Sequence, residues 1–258
     1  MLMRLDWKTA LTFMTRDQHW KRKLLIGGAL FFPLPPLGWM MALGFRSLTG
    51  PRLVDGMEPV LPEWRGNLTH ILQRGALAVF VILSHFSPFF VCYWLFGLDS
   101  TAALQQHWRE VVVFVTAIAL FPPLFLPTLP LAYALNFPWL AFSTGEIAVL
   151  AILFLGAFFI LPASFVQIGM YGSYASAFRA RSAWRFVLCH KRLYAEAWVI
   201  SLLVSAIAVS MGPFMPWGLF WSYLVILHVF LDALARSDTP GVRERFARAA
   251  LLRPRRDA

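Results

Sequence analysis

Long uncharged apolar stretches, separated by short and mostly basic links, dominate this sequence. Leu24 to Phe45 runs for 22 residues without a charge, and Val111 to Gly145 for 35. A hydrocarbon core of about 30 Å is crossed by about 20 helical residues, and its lack of water obliges a spanning segment to satisfy its own backbone. The expected fold class is therefore all-α: a polytopic integral membrane protein. Composition agrees. Of 258 residues, 59% are hydrophobic and 14% charged, against roughly 25% charged in soluble domains. A soluble enzyme of the usual kind, a disordered chain and a secreted disulfide scaffold are excluded.

Six apolar runs stand out: Leu24–Phe45, Gly75–Leu98, the stretch from Val111, Ile147–Tyr171, Tyr194–Met211 and Gly218–Ala235. About six proline-kinked transmembrane helices are expected. Pro88 and Pro162 are the expected kinks of the second and fourth. The first run carries Pro33, Pro35 and Pro36, and the third carries Pro122, Pro123, Pro127, Pro130 and Pro138. Each proline removes a backbone donor and clashes with the preceding turn, so neither run can be one smooth helix. Six crossings is the preferred topology. The rival makes these two runs re-entrant. Residues 46–74 read as a polar link. Three regions follow: an interfacial or cytoplasmic segment 1–23, a helical membrane domain 24–235, and a basic cytoplasmic tail 236–258. Leu5, Trp7, Leu11 and Met14 suggest a short helix lying on the membrane surface, with Asp17 as cap of the next helix; a solvated tail is the alternative. A second amphipathic helix is expected around Val242–Leu252. Nothing in 1–23 reads as a cleavable signal peptide.

Charge gives the orientation. The net charge is +10. With six crossings, 19 Lys and Arg fall on the side of both termini and of 172–193, and four on the other. The re-entrant rival gives 22 against one. Cytoplasmic loops carry the excess of Lys and Arg, so both topologies place the termini and 172–193 in the cytoplasm of a prokaryotic cell. The basic charge is then a topology and lipid-headgroup signal, and nucleic acid is not an expected partner. Cys92 and Cys189 show no metal spacing and are not expected to pair.

The segment Arg16-Asp17-Gln18-His19-Trp20-Lys21-Arg22-Lys23-Leu24-Leu25-Ile26-Gly27-Gly28, then Gly38-Trp39, Leu61-Pro62-Glu63-Trp64 and Gly75, resembles the membrane-protein family called domain of unknown function 4013. Leu161-Pro162-Ala163, Tyr174 and Ala177-Phe178 are similar in pattern in the second half. Trp39 stands where the family's typical residue is tyrosine. The resemblance implies the architecture and brings no reaction. Leu61-Pro62-Glu63-Trp64 reads as an interfacial anchor, with Trp64 among headgroups and Glu63 wet or paired with an arginine; a substrate gate is the alternative.

Few residues are candidates for chemistry. His228, Asp232 and Arg236 follow i, i+4 spacing and share one helix face. Asp232 is either an ion or proton site or the partner of Arg236. His85 and His228 lie in different runs; they either hold a haem or pigment axially or bond neighbouring carbonyls. Gln167 reads as interhelical glue. Residues 172–193 are basic, aromatic and free of acid. They predict a cytoplasmic surface helix whose Arg179, Arg181 and Arg185 meet anionic headgroups or an acidic partner. No Walker loop, metalloprotease or nucleophile-elbow motif is present, so an enzyme is not expected. The leading expectation is an integral subunit, assembly factor or scaffold of a larger membrane complex. The alternatives are a small transporter or lipid-handling permease and a haem- or pigment-binding subunit.

Overall fold

The computed structural model describes residues 5–31, 35–97 and 143–237. Among them every regular element is helical. The α-helices are α1 (Trp7–Thr12), α2 (Trp20–Ala29), α3 (Pro35–Asp55), α4 (Leu68–Gly97), α5 (Thr144–Tyr171), α6 (Ala180–Cys189), α7 (Lys191–Ser210) and α8 (Met215–Ala235). Short 3-10 turns cover Phe13–Arg16, Tyr174–Phe178 and Gly212–Phe214. The third apolar run and its prolines, Pro33, and the amphipathic stretch of the tail lie outside the described residues.

Among the described residues, four helices are long and apolar enough to cross a membrane: Leu68–Phe96, Thr144–Tyr171, Lys191–Ser210 and Gly212–Ala235. They correspond to the second, fourth, fifth and sixth runs. The helices continue through Pro88 and Pro162. Large apolar side chains stay exposed along α4 (Phe80, Val91, Trp94), α5 (Ile152, Phe159) and α7 (Val199, Leu203, Ile207). An apolar surface of this extent suits a lipid environment.

The first run is divided, as its prolines require. It is two helices, with α2 ending at Ala29 and α3 beginning at Pro35, a residue suited to a helix start because it has no amide to leave unpaired. In contrast to expectation, 46–74 is not one polar link: α3 continues through Arg46, Pro51 and Arg52 to Asp55. Long cationic stems pack on apolar neighbours, so charge alone did not end the helix.

The chain divides into two units, 1–79 with 162–258, and 80–161. In the first, α8 is central: from Gly218 onward almost every residue is buried. It packs on α7, α2, α3 and α1. Gly27 and Gly28 of α2 lie against Phe220 and Trp217 of α8, leaving no room for a Cβ. Phe45, Trp64 and Phe220 form an aromatic cluster with centroids 4.5–5.9 Å apart. In the second unit, Phe154 packs on Phe86 and Phe89 at 5.2 and 5.6 Å.

The N-terminal segment corrects the surface-helix expectation. Leu5, Ala10, Phe13 and Met14 are buried, while Trp7 is exposed. The apolar face is turned into the protein. Asp17 does not cap α2, whose N-cap is His19; instead it accepts the His19 amide at 2.9 Å and pairs with Lys23.

Candidate anion-binding cleft

The basic segment folds into a built site at the end of α5. That helix stops at Tyr171, where Gly172 takes φ 66° and donates its amide to the Ile168 carbonyl. A left-handed residue after the last turn is the usual helix stop. Tyr174 then fastens the turn: its hydroxyl donates to the Arg74 carbonyl at 2.6 Å and lies 2.8 Å from Ser47 Oγ. Burial raises the Tyr174 phenol above its ordinary range. Gln167 bridges two elements. With its amide oriented to satisfy both ends, Nε2 donates to the Ser176 carbonyl at 2.7 Å and Oε1 accepts from the Ala183 amide at 2.8 Å.

Helix α6 follows, with Ala183 and Phe186 buried and Arg181, Trp184, Arg185 and Leu188 exposed. Phe186 packs edge-on against Tyr194 at 5.5 Å. This face mixes cations with apolar groups, as a helix in the membrane interface does. Between α6, α5 and the end of α8 lies a cleft of about 380 Å³. Arg179, Arg181 and Arg185 line it with Gln167, over an apolar floor that includes Val166, Met170 and Leu234; none of the described lining residues is acidic. The Arg179 guanidinium lies 5.2 Å from the centroid of the Tyr171 ring. Thus the three arginines singled out from sequence share one cleft, and Gln167 is the glue expected.

The other candidates lie elsewhere. Asp232 is buried and accepts from Arg236 Nε at 2.9 Å and from the Asp6 amide at 3.1 Å. Its neighbour His228 is buried too, tilted against Phe13 at 4.8 Å, and its Nδ1 has no hydrogen-bond partner among the described residues. His85 belongs to the second unit and His228 to the first; His85 Nδ1 lies 2.8 Å from its own helix's Val81 carbonyl. Among the described residues no group of three or more His, Cys, Asp or Glu could hold a metal ion. Both cysteines are free.

The Leu61-Pro62-Glu63-Trp64 element is an internal fastening rather than an interfacial anchor. Trp64 is buried, stacks on Phe45 and donates Nε1 to the Lys23 carbonyl at 3.0 Å. Glu63 stays exposed, as one alternative expected, and its ion pair is with Lys23 at 2.6 Å. Sequence reasoning missed two ionisable residues. Lys23 read as one of a basic cluster, although it directly adjoins the apolar run. Glu196 stands alone among apolar residues of the fifth run, a pattern that marks it, and its Oε1 accepts the Leu5 amide at 3.2 Å. Glu196 and Asp232 together hold consecutive amides of the N-terminal segment.

Residues 27–217 match the family model described as protein of unknown function DUF4013. This is well over half of the sequence. The chain belongs to the DUF4013 family. The matched span includes the Leu61–Trp64 fastening and the whole basic segment. No curated protein and no solved structure matches the chain.

Proposed function

We propose that this DUF4013 chain is a non-enzymatic, multi-pass protein of a prokaryotic cytoplasmic membrane, a subunit or scaffold of a larger membrane assembly. In this reading it holds an anionic lipid headgroup in the cleft of Arg179, Arg181 and Arg185. Both termini and the cleft are cytoplasmic. The observation that carries the reading is the convergence of three guanidinium groups over an apolar floor at the ends of two apolar helices. Phosphate recognises guanidinium through charge-assisted hydrogen bonds, and an apolar floor accepts the first methylenes below it.

The test replaces Arg179, Arg181 and Arg185 by glutamine together. Each basic residue near an anionic surface contributes about 1 kcal/mol, so the triple variant should hold anionic lipid roughly a hundredfold more weakly. Native mass spectrometry of the purified protein counts retained lipid. Unchanged retention, or retention of an acidic protein instead of lipid, sinks the reading. A transporter or lipid-handling permease is the second reading, favoured by one observation: Arg46 lies buried in the helical interior and meets no acid among the described residues.

A further inference from the structure

The arginine cleft holds more positive charge and more donors than a phosphodiester can use. Arg179, Arg181 and Arg185 line it with Ser182, and none of the described lining residues is acidic. Arg181 and Arg185 stand one turn apart on α6, so they share a face. Arg179 directly precedes that helix, and its guanidinium lies 5.2 Å from the centroid of the Tyr171 ring. A guanidinium stacked on a ring keeps its planar N–H edge free to donate. Helix α6 also starts without a side-chain cap, so its first amides add partial positive charge next to Arg179. Two of the helices that line the cleft, α5 and α8, reach it at their ends, through Tyr171 and Leu234, and both have the length and hydropathy of spans. Phe178, Trp184 and Leu188 are exposed along the same basic segment. Apolar side chains exposed among arginines suit the membrane interface, which puts the cleft at headgroup depth.

A phosphodiester headgroup carries one charge and two terminal oxygens. A phosphomonoester has three terminal oxygens and a second ionisation near pH 6, which gives it about −1.5 to −2 charges at neutral pH. Arginine keeps its charge in proteins and presents a rigid fork to oxygen. Against a diester, three forks compete for two oxygens. Against a monoester each fork finds an oxygen, and the charges come closer to balance. The cleft's volume of about 380 Å³ is near the small end of ligand pockets, which run roughly 300–1,000 Å³. That suits a phosphate bearing no further head alcohol. We propose that the ligand of this cleft is a phosphomonoester lipid headgroup, of the phosphatidic acid kind, held in preference to phosphodiester headgroups. This rests on the anionic-lipid reading of the cleft and narrows it to one chemical class. Soluble glycerol phosphates share the recognised group and lack the acyl chains that the apolar floor accepts.

The experiment uses the full chain in phosphatidylcholine nanodiscs, each doped with one guest lipid: phosphatidic acid, phosphatidylglycerol or cardiolipin. Native mass spectrometry counts the guest retained on the protein as its mole fraction is raised. Phosphatidic acid should half-saturate the wild type at about a tenth of the mole fraction that phosphatidylglycerol needs, the equivalent of one more charge-assisted hydrogen bond. Cardiolipin carries two phosphodiesters, so it separates total charge from the monoester group, and it should bind more weakly than phosphatidic acid. Glycerol 3-phosphate in large excess should not displace the lipid. The variant combining Arg179→Gln, Arg181→Gln and Arg185→Gln should lose the preference. All three side chains are exposed, and the wild-type comparison among guests decides the class without any variant. Equal retention of phosphatidic acid and phosphatidylglycerol, lost in the variant, overturns the monoester assignment and leaves the anionic-lipid reading standing. Retention of every guest unchanged in the variant overturns both. A preference for cardiolipin, displacement by glycerol 3-phosphate, or a phosphatidic acid preference that survives in the variant also overturns the proposal.

Discussion

Lys23 shows how a charge is accommodated in an apolar bundle. An ammonium group has three N–H donors, and Lys23 Nζ meets three acceptors: Asp17 Oδ2 at 2.8 Å, Glu63 Oε1 at 2.6 Å and the Leu61 carbonyl at 2.9 Å. Side chains from two stretches of chain are thereby locked together. Lys23→Met strands the buried carboxylate of Asp17, and removing one partner of a buried pair costs about 3–5 kcal/mol. Adding Asp17→Asn to that variant should recover most of the loss. Denaturant unfolding in detergent compares the two; equal stability of Lys23→Met and wild type would refute the assignment. Asp6 acts at the surface. The Thr9 hydroxyl and then the Thr9 amide donate to it, holding its carboxyl below the usual carboxylate range. A depressed folded pKa gives stability that is present above the unfolded value and lost as pH falls through the folded one. Hydrogen exchange at Ala10, taken relative to the intrinsic rate at each pH, should therefore rise on acidification below the ordinary carboxylate range. Asp6→Ala should raise it already at neutral pH, by the roughly 1 kcal/mol of a helix cap. An exchange rate insensitive to both changes would remove the cap from the account.

At the scale of helices, two glycines let α3 and α4 touch backbone to backbone. A Cβ on Gly44 would fall on the Ile71 carbonyl, and one on Gly75 on the Met40 carbonyl. Neither obstacle is a flexible side chain, so the helices would have to separate. Overpacking of this kind costs typically 1–3 kcal/mol. Gly44→Ala and Gly75→Ala are expected to destabilise by about that much. Gly156→Ala, in α5, meets nothing within 4 Å among the described residues and should be neutral or stabilising by up to about 1 kcal/mol through helix propensity. Thermal melts of the three variants in one detergent check the order; a Gly156→Ala variant less stable than Gly44→Ala would contradict the packing.

For the whole molecule, topology turns on the first apolar run. Four described helices have the length and hydropathy of spans. The first apolar run is divided between α2 and α3, and α3 carries Arg46 and Arg52. We take this as favouring a first run that does not cross, which leaves 46–74 on the same side as the N-terminal segment; six crossings put it on the opposite side. Met57 is exposed on that link and reports the difference. In a chain whose Cys92 and Cys189 are replaced by serine, Met57→Cys should react with an impermeant thiol reagent only from the cytoplasmic side. Labelling from outside would restore six crossings. Reporter fusions at Arg181 and after Ala258 should both be cytoplasmic in either case, and external activity at either site would reject the orientation.

The all-helical class, the positions of four spanning candidates, the family and the three arginines of the cleft were all legible in the residues. Each depends on local quantities: run length, proline placement, and the spacing of charge along one segment. Pairings between distant segments were not legible. Asp17 read as a helix cap and Leu5 as part of a surface helix because nothing local says which neighbour covers a face. Lys23 meets Glu63, Asp232 meets the Asp6 amide, and Arg46 meets Phe165 only once α8 has gathered α1, α2 and α3 around itself and α5 has closed on α3. Hydropathy reports how much apolar surface a segment has to bury. Whether lipid or protein buries it depends on which helices have faces small enough to approach, and that is a property of the packed molecule.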